Sequence, residues 1–287
     1  MYYPFLKSAD SLPFSTKRKW GDLGVSVRYL GTAGFVIANS QNTLVLDPFI
    51  TRPSMFQTIF DRLSPDIDLL KREIPHANEV IIGHSHHDHI LDAPALCHHT
   101  GARLIGSKDT CNIGRAAGLP EKQLRATEGR EWIECGNSQI YAAPSLHGRV
   151  YFNRVPLPGR IETPPSWPLH YSGFRHGLVL NWHIKMNNFS VVHIDSADFI
   201  PEELQGHECD LLCLCAIGRK YRPNYIREAI QILKPTYVMP CHWDLFFTPF
   251  SGPHYLLPGV DVVGMLRELK DEGAQSILLP IGEQIEF

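Results

Sequence analysis

Short apolar runs broken by polar turns dominate the pattern along this chain, and most of them carry the β-branched residues of strands. Residues 25–37 and 43–48 are such segments, separated by the polar stretch Asn39-Ser40-Gln41-Asn42, which predicts a hairpin. Residues 79–83 form a short run around Val80, Ile81 and Ile82, the mark of a buried strand. Beyond it, Ile90, Leu91, Ala95 and Leu96 recur with helical spacing. They predict a helix capped by Asp88 and stopped by Gly101, with His98 and His99 facing solvent in its last turn.

Residues 132–147 read as two strands joined at Gly136-Asn137, and residues 177–195 as two more joined at Asn187-Asn188. Between them, residues 148–176 hold Pro156, Pro158, Pro164, Pro165 and Pro168 among aromatic side chains. Such a composition resists regular structure but suits an ordered lid that shapes a site. The remainder alternates: strand 210–216, helix 224–233, strand 236–240, helix 262–269 and strand 276–279. Strands flanked by helices imply a layered α/β architecture. No segment has the composition of a linker, so residues 1–287 are expected to form one domain with a lid-like insertion at about 148–176.

Composition narrows the classes. Of 287 residues 44% are hydrophobic and 20% charged, as in an ordinary globular protein. The formal net charge of −3 argues against a surface that holds nucleic acid by charge. The 7 cysteines are scattered rather than dense, which fits a reducing cytoplasm better than a disulfide framework. The N-terminal residues 1–7 lack the pattern of a leader peptide, and no apolar run approaches the roughly 18 residues that span a bilayer, so neither secretion nor membrane insertion is expected.

The run His84-Ser85-His86-His87-Asp88-His89 follows the 79–83 strand immediately. Zinc takes nitrogen from neutral imidazole and oxygen from carboxylate. His84 and His86, two apart in an extended loop, can point toward one ion, while Asp88 and His89 turn toward a second. His147, Asp195 and His242 lie at the ends of three further apolar strands and complete a donor set that an adventitious histidine tract lacks. His87 reads as a neighbour of the site or an exposed residue rather than a ligand, and His193 as a packed core histidine. Cys213 and Cys215 alternate in an apolar strand as small core residues. Asp47 reads either as an acceptor that orients a ligand imidazole or as a turn residue before Pro48.

This sequence resembles the metallo-β-lactamase superfamily, whose HxHxDH motif is matched at His84, His86, Asp88 and His89, and whose later ligands fall by motif order on His147, Asp195 and His242. The opening Tyr29-Leu-Gly-Thr-Ala-Gly-Phe35 and the segment Leu44-Val-Leu-Asp-Pro48 look like the family's first strands. Together with Pro240-Cys-His-Trp243, the opening is most similar to the branch with L-ascorbate-6-phosphate lactonase and N-acyl-phosphatidylethanolamine phospholipase D. The resemblance implies a four-layer αββα sandwich. The family usually carries Gly before the aspartate equated with Asp195; this chain has Ile194, and Asp198 is close enough to be the alternative.

On this reading His84, His86 and His147 hold a first ion, Asp88, His89 and His242 a second, and Asp195 bridges them. Two divalent cations, zinc by default with Mn2+ or Fe2+ open, can hold a bridging water and lower its pKa until it serves as a hydroxide nucleophile. The expected enzyme is a binuclear metal-dependent hydrolase that cleaves a phosphodiester or lactone, with Asp88 and Asp195 central to catalysis. Its substrate is small or lipid-like, and phosphorylated if Arg149, Arg219, Lys220 or Tyr221 binds an anion. Trp167, His170, Tyr171 and Phe174 offer an apolar wall. Nucleic acid is not expected as a partner, and homo-oligomers remain open. The alternative is a non-catalytic family member that keeps its metals and acts as a binding subunit. Redox chemistry, which relatives perform with iron, ranks lower because the diiron branch carries a carboxylate where this chain has His86.

Overall fold

A computed structural model describes residues 6–287; residues 1–5, within the stretch read as lacking a leader, lie outside them. The first half supplies β1 (Ser26–Gly31), β2 (Gly34–Ala38), β3 (Thr43–Leu46), β4 (Arg62–Leu63), β5 (Glu79–Ile81), β6 (Arg103–Gly106) and β7 (Leu124–Ala126). Next come β8 (Glu131–Cys135), β9 (Ser138–Ser145), β10 (Leu169–His170), β11 (Val179–Met186) and β12 (Phe189–Ile194). The chain finishes with β13 (Leu211–Cys215), β14 (Tyr237–Cys241), β15 (Gln275–Ser276) and β16 (Gln284–Glu286).

These strands form two seven-stranded sheets in the orders β16-β1-β2-β3-β5-β6-β7 and β15-β14-β13-β12-β11-β9-β8, while β4 and β10 make a separate two-stranded ribbon. The C-terminal strand β16 crosses back to pair antiparallel with β1, so the first sheet holds chain from both ends of the sequence, while the second is built only from strands between β8 and β15.

Side-chain alternation sets the layers. In β3, Leu44 and Leu46 face the second sheet and join Leu180, Trp182 and Ile184 of β11 in one core. Val45 between them faces the other way, with Val80 and Leu104, onto the helical residues Leu70, Leu96 and Ile113. On the far face of the second sheet, Ala229 and Leu233 of the helix Tyr225–Leu233 and Met265 and Leu269 of the helix Val262–Asp271 are packed on the strands. Helix, sheet, sheet and helix follow in order, which is the αββα sandwich. Strands buried on both faces explain why β5, β13 and β14 read as continuous apolar runs rather than alternating ones.

Three local readings need correction. Residues 25–37 are not one strand but two, because Gly31 and Thr32 adopt positive φ of 83° and 52° and turn the chain tightly between β1 and β2. Asp88 does not cap the helix that follows. A single helical turn, His87–Ile90, has His86 at its N-cap, and Asp88 lies inside it with its carboxylate turned to neighbouring histidines. A separate helix, Ala93–Thr100, starts after Asp92, whose carboxylate is instead drawn to the amides of Ile50 and Thr51. Gly101 stops that helix at φ 79°, as its position predicts. Last, only Gln275–Ser276 of the C-terminal strand pairs with β14, although Ile277, Leu278 and Leu279 beyond it are fully buried.

Trp182 links the two sheets: its ring is buried, and its Nε1–H donates to the Ile82 carbonyl at 3.1 Å, just before the histidine-rich loop. Trp182→Ala should lower the unfolding free energy by roughly 3–5 kcal/mol. Chemical denaturation measures this, and a loss below about 1 kcal/mol would show that the inter-sheet core does not depend on that ring.

Candidate metal centre

Four strand ends meet at one edge of the sandwich. β5 leads through Ile82 and Gly83 into His84 and His86, β9 leads to His147, β12 to Asp195 and β14 to His242. The structure brings these residues together in three overlapping groups whose ligand atoms lie within 4.8 Å of one another: His84 with His86 and His147, Asp88 with His89 and His242, and His84 with His89 and Asp195. Every one of the seven sequence-predicted donors is therefore in the cluster.

The geometry within it is specific. His84 Nε2 and His86 Nδ1 are 3.0 Å apart, close to the roughly 3.3 Å between two nitrogens that share a tetrahedral ion at about 2.0–2.1 Å. Asp195 Oδ2 is 2.6 Å from His84 Nδ1 and 3.7 Å from His89 Nδ1, so it stands between the two histidine sets. Asp88 Oδ2 is 3.3 Å from His242 Nε2 and 3.9 Å from His89 Nε2. Asp198, the alternative to Asp195, is turned away into an ion pair with Arg222 at 2.9 Å.

Neighbouring groups fix how the donors present their lone pairs. His147 donates Nδ1–H to the Gly148 carbonyl at 2.7 Å, which leaves Nε2 free. His89 directs Nδ1 to Asp47 Oδ2 at 2.9 Å, while the other oxygen of Asp47 accepts the Gly83 amide at 2.8 Å. Asp47 thus orients a donor imidazole, the first of its two readings. Gly83 is required here by space, since a Cβ at that position would run into the Asp195 carboxylate.

Burial governs the protonation states. It pushes His86 and His89 well below the usual imidazole range, each helped by its histidine neighbours, and pushes His147 down to about 3. All three are therefore neutral at physiological pH, the form that coordinates a cation. Burial works the other way on Asp88, but the imidazoles of His89, His242 and His87 outweigh it and hold the carboxyl well below the usual range. Among the described residues, the buried atoms His86 Nε2, His242 Nδ1 and Asp195 Oδ1 have no hydrogen-bond partner. Neutral nitrogens, ionised carboxylates and unpartnered buried acceptors fit a divalent cation site.

The cluster lies at the base of a cavity of about 380 Å³. Its walls are Met55, Val150, Tyr151, Pro156, Tyr171, Ile217, Leu245, Phe246, Phe247, Leu257 and Pro258, and among the described residues no arginine or lysine lines it. The insertion reaches it with Val150, Tyr151, Pro156 and Tyr171, and the Tyr151 hydroxyl donates across to the Pro258 carbonyl at 2.8 Å. The rest of the insertion is anchored away from the cavity, where Arg160 pairs with Asp109 at 2.9 Å and Asn112 donates to the Ile161 carbonyl at 2.7 Å.

The expected substrate contacts need correction for that reason. Trp167 packs against Phe174 in the helix-side core. His170 lies on the ribbon with its Nδ1 3.1 Å from the Asp61 carbonyl, and Arg149 is exposed while its neighbours Val150 and Tyr151 turn inward. Tyr221 sits on a turn under the Lys220 ammonium, and Arg219 is paired with Glu268. None of these borders the cavity. What sequence reading missed are the wall residues Tyr151, Phe246 and Phe247, which sit in loops without a motif. His87, read as a neighbour of the site or an exposed residue, is the former, buried in the wall edge-on to Phe49 and Tyr171 at 5.5 and 4.9 Å. His193 is a packed residue, its Nε2–H donating to the Ala33 carbonyl at 2.9 Å. Cys213 and Cys215 are buried core in β13.

Comparison with known proteins follows the same outline. The family model of the metallo-beta-lactamase superfamily matches residues 28–177, more than half of the chain. A UPF0173 metal-dependent hydrolase of Pyrobaculum arsenaticum is 26% identical over 228 residues, covering 77% of this chain and 85% of the relative. One from Thermococcus onnurineus is 24% identical over 270 residues, covering 92% and 100%. Among solved structures, Igni18, a metallo hydrolase of Ignicoccus hospitalis, superposes with a TM-score of 0.60 at 19% identity over 92% of this chain and 99% of its own. CmlA, a diiron β-hydroxylase of Streptomyces venezuelae, gives 0.59 at 16% identity over 93% of this chain and 55% of its own. Among the described residues no helix is long and apolar enough to cross a membrane. With its first sheet and histidine-rich loop inside the matched segment and named hydrolases among its relatives, the chain belongs to the metallo-beta-lactamase superfamily and is one of its metal-dependent hydrolases.

Proposed function

We propose that this hydrolase holds two divalent cations, zinc by default for a nitrogen-rich donor set, and cleaves an ester-type bond, a lactone or phosphodiester, in a small or lipid-like substrate with an apolar arm. The observation that carries this reading is the juxtaposition of the two donor groups with an apolar cavity directly above them. His84, His86 and His147 would hold one cation and Asp88, His89 and His242 the other, with Asp195 between them. Cations held there supply Lewis acidity toward the scissile carbonyl or phosphoryl oxygen and acidify water.

The chain's own residues do the rest. Asp47 and the Gly148 carbonyl keep His89 and His147 in one tautomer each, so both present the same nitrogen throughout turnover. Tyr151, Phe246, Phe247 and Leu257 exclude water and align the apolar arm. Among the described residues a phosphate on the substrate finds no arginine or lysine in the cavity, which shifts the preference from phosphorylated substrates toward uncharged lactones and esters with an apolar arm. A non-catalytic binding subunit finds no support, because the donor set is complete and the relatives are hydrolases.

The decisive experiment assays metal-quantified protein against lactones, aryl and alkyl esters, phosphodiesters and phospholipids. Turnover should rise with the length of an apolar arm, and activity confined to polar phosphodiesters would overturn the substrate reading. His86→Ala should abolish hydrolysis with the circular dichroism spectrum unchanged. Asp47→Ala, which frees His89, should weaken metal affinity or activity by about 10- to 100-fold. Phe247→Ala should raise KM for apolar-armed substrates roughly tenfold, since it removes apolar wall area from the cavity.

A further inference from the structure

A second buried charge constellation lies behind the site. Arg52 and Asp244 form an ion pair at 2.6 Å with neither side chain exposed. Burying two charges is costly unless their remaining atoms find partners, and the further contacts of Asp244 run toward the metal centre. Asp244 Oδ1 accepts the Thr32 amide at 2.7 Å, and the Tyr29 hydroxyl lies 3.1 Å from both that oxygen and the Thr32 carbonyl. The same Thr32 carbonyl accepts the backbone N–H of His242 at 2.5 Å.

The backbone around this chain of contacts is held in conformations that few side chains adopt. Arg52, Thr32 and His242 all have positive φ, of 47°, 52° and 55°. Non-glycine residues persist there only where surrounding contacts fix them. Gly31 belongs to the same arrangement, because a Cβ on it would collide with the Arg52 guanidinium. Each strained residue has a partner in this arrangement: Arg52 holds Asp244, Asp244 holds Thr32, and Thr32 holds His242.

We infer that the Arg52–Asp244 pair is a positioning device for His242, and that it sets the affinity of the second cation separately from the first. This rests on the two-cation reading above. The separation follows from the geometry: His242 belongs to the group with Asp88 and His89, whereas His84, His86 and His147 are carried by β5 and β9. A displaced His242 therefore weakens one cation and leaves the other's donors in place.

The test titrates chelator-stripped protein with Zn2+ by calorimetry, and with Co2+ to follow its visible absorption, alongside near-ultraviolet circular dichroism as a check on folding. Wild type should take up two ions. Asp244→Asn, which keeps an acceptor for Thr32 but loses the ion pair, should retain the first at wild-type affinity and bind the second about 10- to 100-fold more weakly, approaching His242→Ala. Arg52→Lys should keep more of the second affinity than Asp244→Asn does, because it retains the charge without the fork. Tyr29→Phe, a milder change, should weaken the second ion alone, and with Arg52→Lys it decides the matter if Asp244→Asn does not fold. Equal weakening of both ions, or no change in either, overturns the inference. A wild type that takes up a single ion overturns the two-cation reading and this inference with it.

Discussion

Five imidazoles and two carboxylates held out of water within each other's reach make an expensive assembly, and the rest of this structure is arranged to keep it. Burial drives the imidazoles of His86, His89 and His147 neutral, which spares them mutual repulsion and leaves their lone pairs available. The carboxylates stay ionised because those imidazoles surround them. An arrangement of this kind cannot rest on flexible loops alone. It is carried on the ends of β5, β9, β12 and β14, strands packed on both faces, so each donor starts from a point that the two sheets have already fixed.

Behind the donors stands a layer of carboxylates that never reach the cavity. Asp47 joins His89 to the Gly83 amide, Asp92 ties down Ile50 and Thr51, and Asp244 joins Arg52 to Thr32 and through it to His242. Each converts a side chain into a brace between two segments distant in sequence. Glycine does the complementary work of leaving room: Gly83 admits the Asp195 carboxylate, and Gly31 admits the Arg52 guanidinium. Residues that only pack or brace thus decide whether the donors are presented correctly.

The cavity is built on a different principle. Its walls come from the insertion, from the turn after β14 and from the helix Met55–Phe60, whose side chains above the donors are apolar. Apolar walls above a polar base raise the strength of every electrostatic interaction at that base by excluding water. They also allow specificity to change through wall side chains while the donors stay as they are.

Much of this was legible in the chain because local chemistry recorded it. HxHxDH after an apolar run, and three further candidate donors at the ends of apolar segments, point to His84, His86, Asp88, His89, His147, Asp195 and His242, which the fold gathers into one cluster; the layered α/β order follows from alternating strands and helices. The turns at Gly136 and Asn187 and the helix stop at Gly101 were equally local, since each needs a positive φ that its residue favours. The choice of Asp195 over Asp198 was not, because it depends on Arg222, which drew Asp198 aside. Nor was the exclusion of Arg149, Trp167, His170 and Tyr221 from the cavity, because loop side chains take their direction from remote anchors such as Asp109 and Pro258. Asp88 looked like a helix cap from its neighbours in sequence, and only the approach of His242 from another strand gave its carboxylate a different partner. Periodicity and motif spacing are fixed by covalent order, whereas the direction of a loop side chain is set by contacts between segments that the sequence keeps far apart.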